Sequence, residues 1–407
     1  MDLPKVRSDE VSRHSSGMFN ENTAGRHYAN EVQFSFHNHR EIVNAFEEGR
    51  AVDLADLPKQ KEKSVMIIGS GPTLDKALPF LKDWKGEIIC SASQAATLIA
   101  WGRDPEHIVA LDPDSSLAEL RVDTWEGRNS ILHLHPGVMP DLVRGWKGKL
   151  AFFRKLQPQN TFYGIEQQTG YSPLGPFREG RYWGNESKPY IRSQVPMLAC
   201  VLAAQICIAK QLGYRQQILV GTDFASIGDQ LRFTSRSWDG SAWIEHKPVS
   251  LEGYSSQLGA ENDPMIEIEI DGLKSSATKI FYAHQTVIAW RLTECDIINA
   301  FPEGFLRMFP SRPFEEIMRR GNKGVKGYNL KQIRAASEEH LAKQNIFFFN
   351  VGDGIMPHEF KDPLHDIPKA LADVKKILEA QGRGDQLDIN ANMKRLQNLF
   401  TKVLHAT

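Results

Sequence analysis

The chain has 407 residues, 41% of them hydrophobic and 24% charged, the balance of a globular protein large enough for one big domain or two ordinary ones. A formal net charge of −1 excludes a global basic field that would draw the whole chain to nucleic acid or an anionic membrane, and leaves only local patches. Four cysteines, Cys90, Cys200, Cys207 and Cys295, make no C-x-x-C pair and sit in apolar runs, so buried free thiols in a reducing cytoplasm are expected.

Residues 1 to about 30 read as polar and loose, with no apolar core of a secretory signal. "REIVNAFEEGRAV" (40–52) has helical spacing, ends at a glycine and predicts a lead-in helix. An alternation of short apolar runs and amphipathic segments begins at residue 64. "SVMIIG", "GEIICSA", "HIVALD", "SILHLH" and "KLAFFRK" predict strands. "TLDKALPFLKDW", "SQAATLIAWG", "SSLAELRVDTW" and "GVMPDLVRGW" predict the helices between them. Strands apolar throughout and separated by helices indicate a parallel sheet covered on both faces.

Residues 155–192, rich in Gly, Pro and aromatics, interrupt the rhythm as an excursion of the kind that covers a site. Tyr163, Tyr171, Arg181, Tyr182 and Arg192 would give it an aromatic and cationic surface, or the aromatics would simply pack in the core. "SQVPMLACVLAAQICIAKQLGY" predicts a helix apolar on nearly every side, with Pro196 in its first turn. Its most apolar window, 197–209, is shorter than the roughly 20 residues of a membrane span. "QQILVGTDF" is the next strand. Residues 225–276 read as a second excursion with short strands, "TKIFYAHQTVIAWRLTE" as a helix and "CDIINAF" as the last strand. The remainder is mainly helical and charged. Its basic stretch from Arg307 to Lys343 is a solvated helical face or a docking patch for an acidic partner.

The expected architecture is therefore α/β: a Rossmann-like doubly wound, mostly parallel sheet with two long insertions and a helical C-terminal tail. Residues 1–62 would form an extension with the lead-in helix, 63–320 the nucleotide-binding domain with insertions 155–192 and 225–276, and 321–407 the helical C-terminal region.

Ligands of open parallel sheets bind beyond the carboxyl ends of the strands, near the reversal of strand order. "IIGSGPTLD" lies there. Gly69 and Gly71 permit close backbone approach, Pro72 suits a first helical turn, and Thr73 can cap it. Free amides of that turn would hold an anion, unless the stretch is only a tight strand–helix turn. The G-x-G-x-x-G dinucleotide fingerprint fails at Leu74, and no P-loop lysine follows. Asp112 and Asp114 sit just past the third strand of the alternation. They would hold Mg²⁺ on a diphosphate, accept from ribose hydroxyls, or merely cap the next helix. His133 and His135 alternate on the fourth strand, where each would act as general base, steady a phosphate, or be a structural core histidine. Asp223, past the strand at 216–220, is a further polar residue at a strand end, or a cap.

"IIGSGPTLD", "CSASQAA", "HIVALDPD" and "ILVGTDFA" occur in an order and spacing that resemble the MptE-like Rossmann family, over roughly 65–320. That family takes in archaeal 6-hydroxymethylpterin diphosphokinases and bacterial Maf motility-associated glycosyltransferases. The first two motifs also look like those of bacterial sialyltransferases that use CMP-sugars, and "DIINAFPEGF" resembles a late N-x-x-E-G element of the Maf proteins. The resemblance implies that Gly69, Ser70, Gly71, Pro72 and Thr73 line a donor's phosphates. Ser91, Ser93 and Gln94 would lie by the nucleoside, Asp112 and Asp114 would hold metal or ribose, and Asp223 would sit across the cleft. His133 and His135 look like the H-x-H of the pterin kinases, which continue with Gly-Asp where this chain reads Pro136-Gly137. The implied donor is a CMP-sugar or ATP, with Mg²⁺ in the second case. The implied acceptor is unidentified, a protein or glycan and not nucleic acid, in a cytoplasmic protein with no membrane span. Three functions follow: glycosyl transfer from a nucleotide-activated sugar, Mg²⁺- and ATP-dependent diphosphate transfer to a small alcohol such as a pterin, or a non-catalytic nucleotide-binding scaffold.

Overall fold

Runs of three or four apolar residues, such as Val65–Ile68, Ile88–Cys90 and Ile218–Val220, make up most of the central strands, and such runs can be satisfied only where both faces of a sheet are covered. The computed structural model describes residues 21–111, 120, 128–156, 184–185, 188–196, 200–227, 236–238, 243–245, 265–270, 273–278, 296–304, 306–307, 309–327, 330–343, 346–351, 354–359 and 362–404. Its centre is an eight-stranded, wholly parallel sheet: β1 (Ala51–Asp53), β2 (Ser64–Ile68), β3 (Glu87–Ser91), β4 (His107–Val109), β5 (Ile131–Leu134), β6 (Leu150–Phe152), β7 (Gln216–Val220) and β8 (Ile297–Asn299). The strand order is β1-β6-β5-β4-β3-β2-β7-β8. From β2 the chain steps outward to β6, then returns to lay β7 on the other side of β2. Strand order reverses between β2 and β7, and the crevice there is where an open α/β sheet binds its ligand.

Alternate side chains serve two cores. Met66, Ile68, Ile88, Ile108, Leu132 and Ile218 face one way. There they meet Ile42 of α1 (Glu21–Glu47), Leu74 and Leu78 of α2 (Leu74–Leu81), Leu98 of α3 (Ala92–Ala100) and Leu142 of α4 (Pro140–Gly145). Val65, Ile67, Ile89, Val109, Leu219 and Ile297 face the other, against Leu202, Ile206 and Ala209 of α5 (Val201–Gln211). Each fully buried Val, Leu or Ile contributes about 1.5–3 kcal/mol, so the two-sided sheet is the main source of stability. Past α6 (Phe314–Arg320), the C-terminal part consists of α7 (Leu330–Ala342), an antiparallel hairpin of Ile346–Val351 with Gly354–Glu359, α8 (Pro363–Ala380) and α9 (Ile389–Leu404). These share a third core around Phe347, Phe349, Leu371 and Leu396. Ile333 and Leu341 of α7 reach into the α5-side core and tie this unit to the sheet.

The α/β class and the seven strands expected at the apolar runs are observed. Four local differences stand out. The lead-in helix starts at Glu21, well before residue 40, and turns at Gly49 (φ 73°) into β1, an edge strand paired with β6. Pro196 is not in a first helical turn. Residues 194–196 form a short strand parallel to Arg154–Leu156, and α5 begins at Val201. The tail is not simply helical, because of its hairpin. In the second excursion, Met265–Ile270 is a strand as expected, paired with Leu273–Thr278. The helices expected at 115–125 and 278–294 fall on positions outside the described residues, apart from Leu120 and Thr278, which ends the strand Leu273–Thr278. Cys90, Cys200 and Cys207 are free thiols, and burial pushes Cys200 up to about 12. Among the described residues, no helix is long and apolar enough to cross a membrane.

Candidate functional site

The turn after β2 and the turn after β7 meet at the reversal of strand order, and the glycines let them touch. The Gly69 amide donates to the Val220 carbonyl (2.9 Å) and the Gly71 amide to the Gly221 carbonyl (2.7 Å). A Cβ on Gly69 would lie 2.3 Å from the Gly221 oxygen, and one on Gly71 would lie 2.4 Å from the Asp223 carboxylate. The bare loop is therefore bare in order to dock a neighbouring backbone. Pro72 is buried behind it.

Asp223 completes the contact. Its Oδ2 accepts from the Thr73 amide (2.8 Å), and the Thr73 hydroxyl donates to Oδ1 at 2.7 Å. The carboxylate of Asp223 thus occupies the N-terminus of α2, the place where an external anion would be favoured. This corrects the expectation that Gly69, Gly71 and Thr73 offer free amides to a phosphate: all three serve the protein's own acceptors. Thr73 precedes α2, but its hydroxyl makes no cap bond to that helix. Gly304, in the loop after β8, packs on the Asp223 backbone, where a Cβ would meet the Asp223 carbonyl at 2.4 Å. Asp223 is 3% exposed, and burial pushes its carboxyl up to about 7 even though its bonds from Thr73 pull the other way. Lys76 of α2 pairs with Glu303 and lies over the Phe301 ring (5.9 Å).

On the β3 side the crevice is lined by hydroxyls. Ser70 Oγ is 3.1 Å from Ser93 Oγ, which is 2.9 Å from Ser91 Oγ. Ser70, Ser91 and Ser93 are thus brought into one row across the ends of β2 and β3, and among the described residues the Ser70 amide donates to no backbone carbonyl. Three buried polar atoms of the same region, Gln94 Oε1, Gln205 Oε1 and Thr222 Oγ1, have no hydrogen-bond partner among the described residues. Gln205 reaches from α5 and donates to the carbonyl of Ile68, the last residue of β2 (3.1 Å). Buried polar atoms are nearly always satisfied, so such a group at a strand-end crevice points to a ligand or solvent contact. Sequence reading missed Gln205 and Thr222, since nothing in a mid-helix Gln distinguishes it from any other.

The histidines are not at the crevice mouth. His133 is fully buried, its Nε2 2.9 Å from His107 Nδ1. His107 Nε2 lies 3.2 Å from the Tyr214 hydroxyl, which donates to Glu87. One proton arrangement satisfies that chain: Tyr214 donates to Glu87, His107 Nε2–H to Tyr214, and His133 Nε2–H to His107. Burial alone would push Glu87 up, but the His107 ring 3.6 Å away and the bonds from Tyr214 and Lys63 hold its carboxyl at about 2. His135 has both ring nitrogens committed. Nδ1 accepts from the Gly137 amide (3.1 Å) and Nε2–H donates to the Leu111 carbonyl (2.9 Å). Neither His133 nor His135 is placed as a general base, a correction whose cause is tertiary: a neighbouring strand supplies His107, and the turn at Pro136 folds back on His135.

Burial, with His107 beside it, holds the His133 imidazole well below its usual range. The folded state then binds fewer protons than the unfolded one below pH ~6.5, so His133 costs stability as pH falls through that value. A histidine-resolved NMR titration should find the His133 ring still neutral at pH 6, where an ordinary histidine is mostly charged. Arg192 is also accounted for: it pairs with Asp56, and its amide donates to Asp53 Oδ2 (2.5 Å). Asp112, Asp114, Tyr163, Tyr171, Arg181 and Tyr182 lie outside the described residues. Among the described residues, no three His, Cys, Asp or Glu side chains come together as a metal site.

Residues 35–229 match the family described as 6-hydroxymethylpterin diphosphokinase MptE-like. No curated protein matches the sequence. Among solved structures, that of the MAf glycosyltransferase from Magnetospirillum magneticum AMB-1 aligns at a TM-score of 0.43 and 14% identity, over 87% of this chain and 48% of that one. The chain thus spans about half the length of that structure.

Proposed function

We propose that the chain, whose residues 35–229 match the MptE-like family, is a nucleotide-dependent transferase, moving a sugar from a nucleotide-activated donor to an acceptor. The observation that carries the reading is the row Ser70–Ser93–Ser91 at the reversal of strand order, beside three unpaired buried polar atoms. Three hydroxyls and the Ser70 amide are donors suited to a phosphate or a ribose. With Gly69, Gly71 and Thr73 turned inward, they are the groups that would replace the expected amide cradle. The protein's contribution would be to position the acceptor hydroxyl and stabilise charge on the leaving phosphate.

Asp223 is buried, with both carboxylate oxygens accepting from Thr73, so its role in this reading is to hold the turn after β2 against the turn after β7. Its bonds to Thr73 fix the carboxylate behind the loop. Lys76 is the cation nearest in sequence to that loop, and it would exchange Glu303 for a phosphate. Asp112 and Asp114 remain the proposed metal or ribose ligands.

The family description itself favours a second reading, Mg²⁺- and ATP-dependent diphosphate transfer to a small alcohol. A thermal-shift panel separates the two. CMP, CMP-sugar, UDP-sugar, GDP-sugar and ATP are each tested with and without Mg²⁺. Metal-free stabilisation by CMP and its sugar conjugate supports glycosyl transfer. Stabilisation by ATP only with Mg²⁺, lost in Asp112→Asn, supports the kinase. No shift with any of them leaves the non-catalytic scaffold and removes both transferase readings.

A further inference from the structure

At the opposite, amino-terminal ends of β7 and β8 lies a pocket of about 360 Å³, lined by Arg215, Asp296, Arg320, Lys323, Lys326 and the backbone of Gly324 to Gly327. Arg215 immediately precedes β7 and Asp296 immediately precedes β8. The crevice described above follows Val220. Five strand residues at about 3.3 Å each put roughly 16 Å between the two places.

We propose that this pocket is a second binding site, selective for a small molecule carrying a diphosphate group. Four cations and one carboxylate surround it, against a whole-chain net charge of −1, so the concentration of positive charge is local. Among the described residues, the side chains of Arg320, Lys323 and Lys326 make no ion pair or hydrogen bond, and all three are exposed at the rim. Arg215 is held in place: its Nη2 donates to the Lys323 carbonyl (2.5 Å). The floor is rigid. Gly321 and Gly324 take positive φ (52° and 65°), Gly324 donates to Gly321 (3.0 Å), and the Gln216 side chain is clamped to Val325 by bonds of 2.8 and 2.9 Å. Glycine at 324 and 327 is required because Gln216 Oε1 and Asp296 Oδ1 would lie 2.7 and 2.2 Å from a Cβ. Asp296 is turned toward the floor, where its Oδ2 accepts from Gln216 Nε2 (3.1 Å), leaving the cations to face the ligand.

A pocket volume of a few hundred Å³ suits a small molecule. Two adjacent phosphates present enough acceptor oxygens for guanidinium and ammonium groups arriving from several sides. A long acidic peptide would need a basic track continuing beyond the pocket. Inorganic diphosphate, titrated calorimetrically into the full chain without metal, is the probe. Binding is expected in the wild type, weakened about tenfold or more in Arg320→Ala/Lys323→Ala, each lost charge-assisted bond being worth about a factor of ten. Lys369→Ala/Lys376→Ala on α8 removes equal charge elsewhere and should bind as the wild type does. Ser93→Phe, at the crevice, should also leave this binding intact. The assignment is overturned if the wild type shows no binding or if both double variants weaken alike. It is equally overturned if diphosphate is ignored while an acidic peptide binds.

Discussion

Replacing Gly69 with alanine should destabilise the fold by about 3 kcal/mol, at the upper end of what overpacking costs. The new methyl would sit 2.3 Å from the carbonyl oxygen of Gly221, and neither partner is a side chain that can swing aside. The turns after β2 and β7 would have to separate, breaking the Gly69–Val220 and Gly71–Gly221 bonds that join them. Gly71→Ala should cost less, because its clash is with a carboxylate that can rotate, although rotation gives up both bonds to Thr73. Denaturant midpoints measure this, a shift at unchanged slope being a pure stability effect. A Gly69→Ala protein as stable as the wild type would mean that the turns do not dock. In that case the amides are free for an anion after all.

Asp223→Asn should leave stability nearly unchanged at pH 5 and raise it by a few kcal/mol at pH 8. The sign follows from the carboxyl being pushed up to about 7 by burial. Between the unfolded value near 3.9 and about 7, the folded state holds a proton that the unfolded state has lost, so stability falls as pH rises and levels off above 7. Three pH units at about 1.4 kcal/mol each set the ceiling on the order of 4 kcal/mol. Asparagine mimics the protonated acid: its oxygen accepts from the Thr73 amide and its nitrogen donates to the Thr73 hydroxyl. Unfolding by urea at pH 5, 6, 7 and 8, wild type against variant, reads the difference directly. A gap between the two proteins that stays constant with pH would show that Asp223 is ionised throughout.

The sheet was legible because two-sided burial writes itself as uninterrupted apolar runs, as in Val65–Ile68 and Ile218–Val220. What escaped was short or non-local. β1 is three residues at an edge, Ala51–Asp53, with no run to announce it. The hairpin at 346–359 was hidden in a charged context that reads as helical, although its "VGDG" turn is a hairpin signal. At the crevice, Gly69, Gly71 and Asp223 were recognisable as special residues, but not for the reason that makes them so. Thr73 and Asp223 are 150 positions apart, and only the placement of β7 beside β2 turns a ligand-like loop into a site that binds its neighbour. Likewise His133 looked available at its strand's end until the adjacent strand contributed His107. Ser70 was expected at a donor's phosphates and Ser91 and Ser93 by its nucleoside; the fold brings the three hydroxyls into one row because they lie at the ends of adjacent strands.

Hydrogen–deuterium exchange with and without the nucleotide that gives the largest thermal shift tests the central claim most directly. A nucleotide seated between the ends of β2 and β3 should slow exchange in peptides spanning 69–75 and 91–96, with residues 319–327 unaffected. Binding that leaves both of those segments unchanged while protecting others would contradict the placement of the donor site.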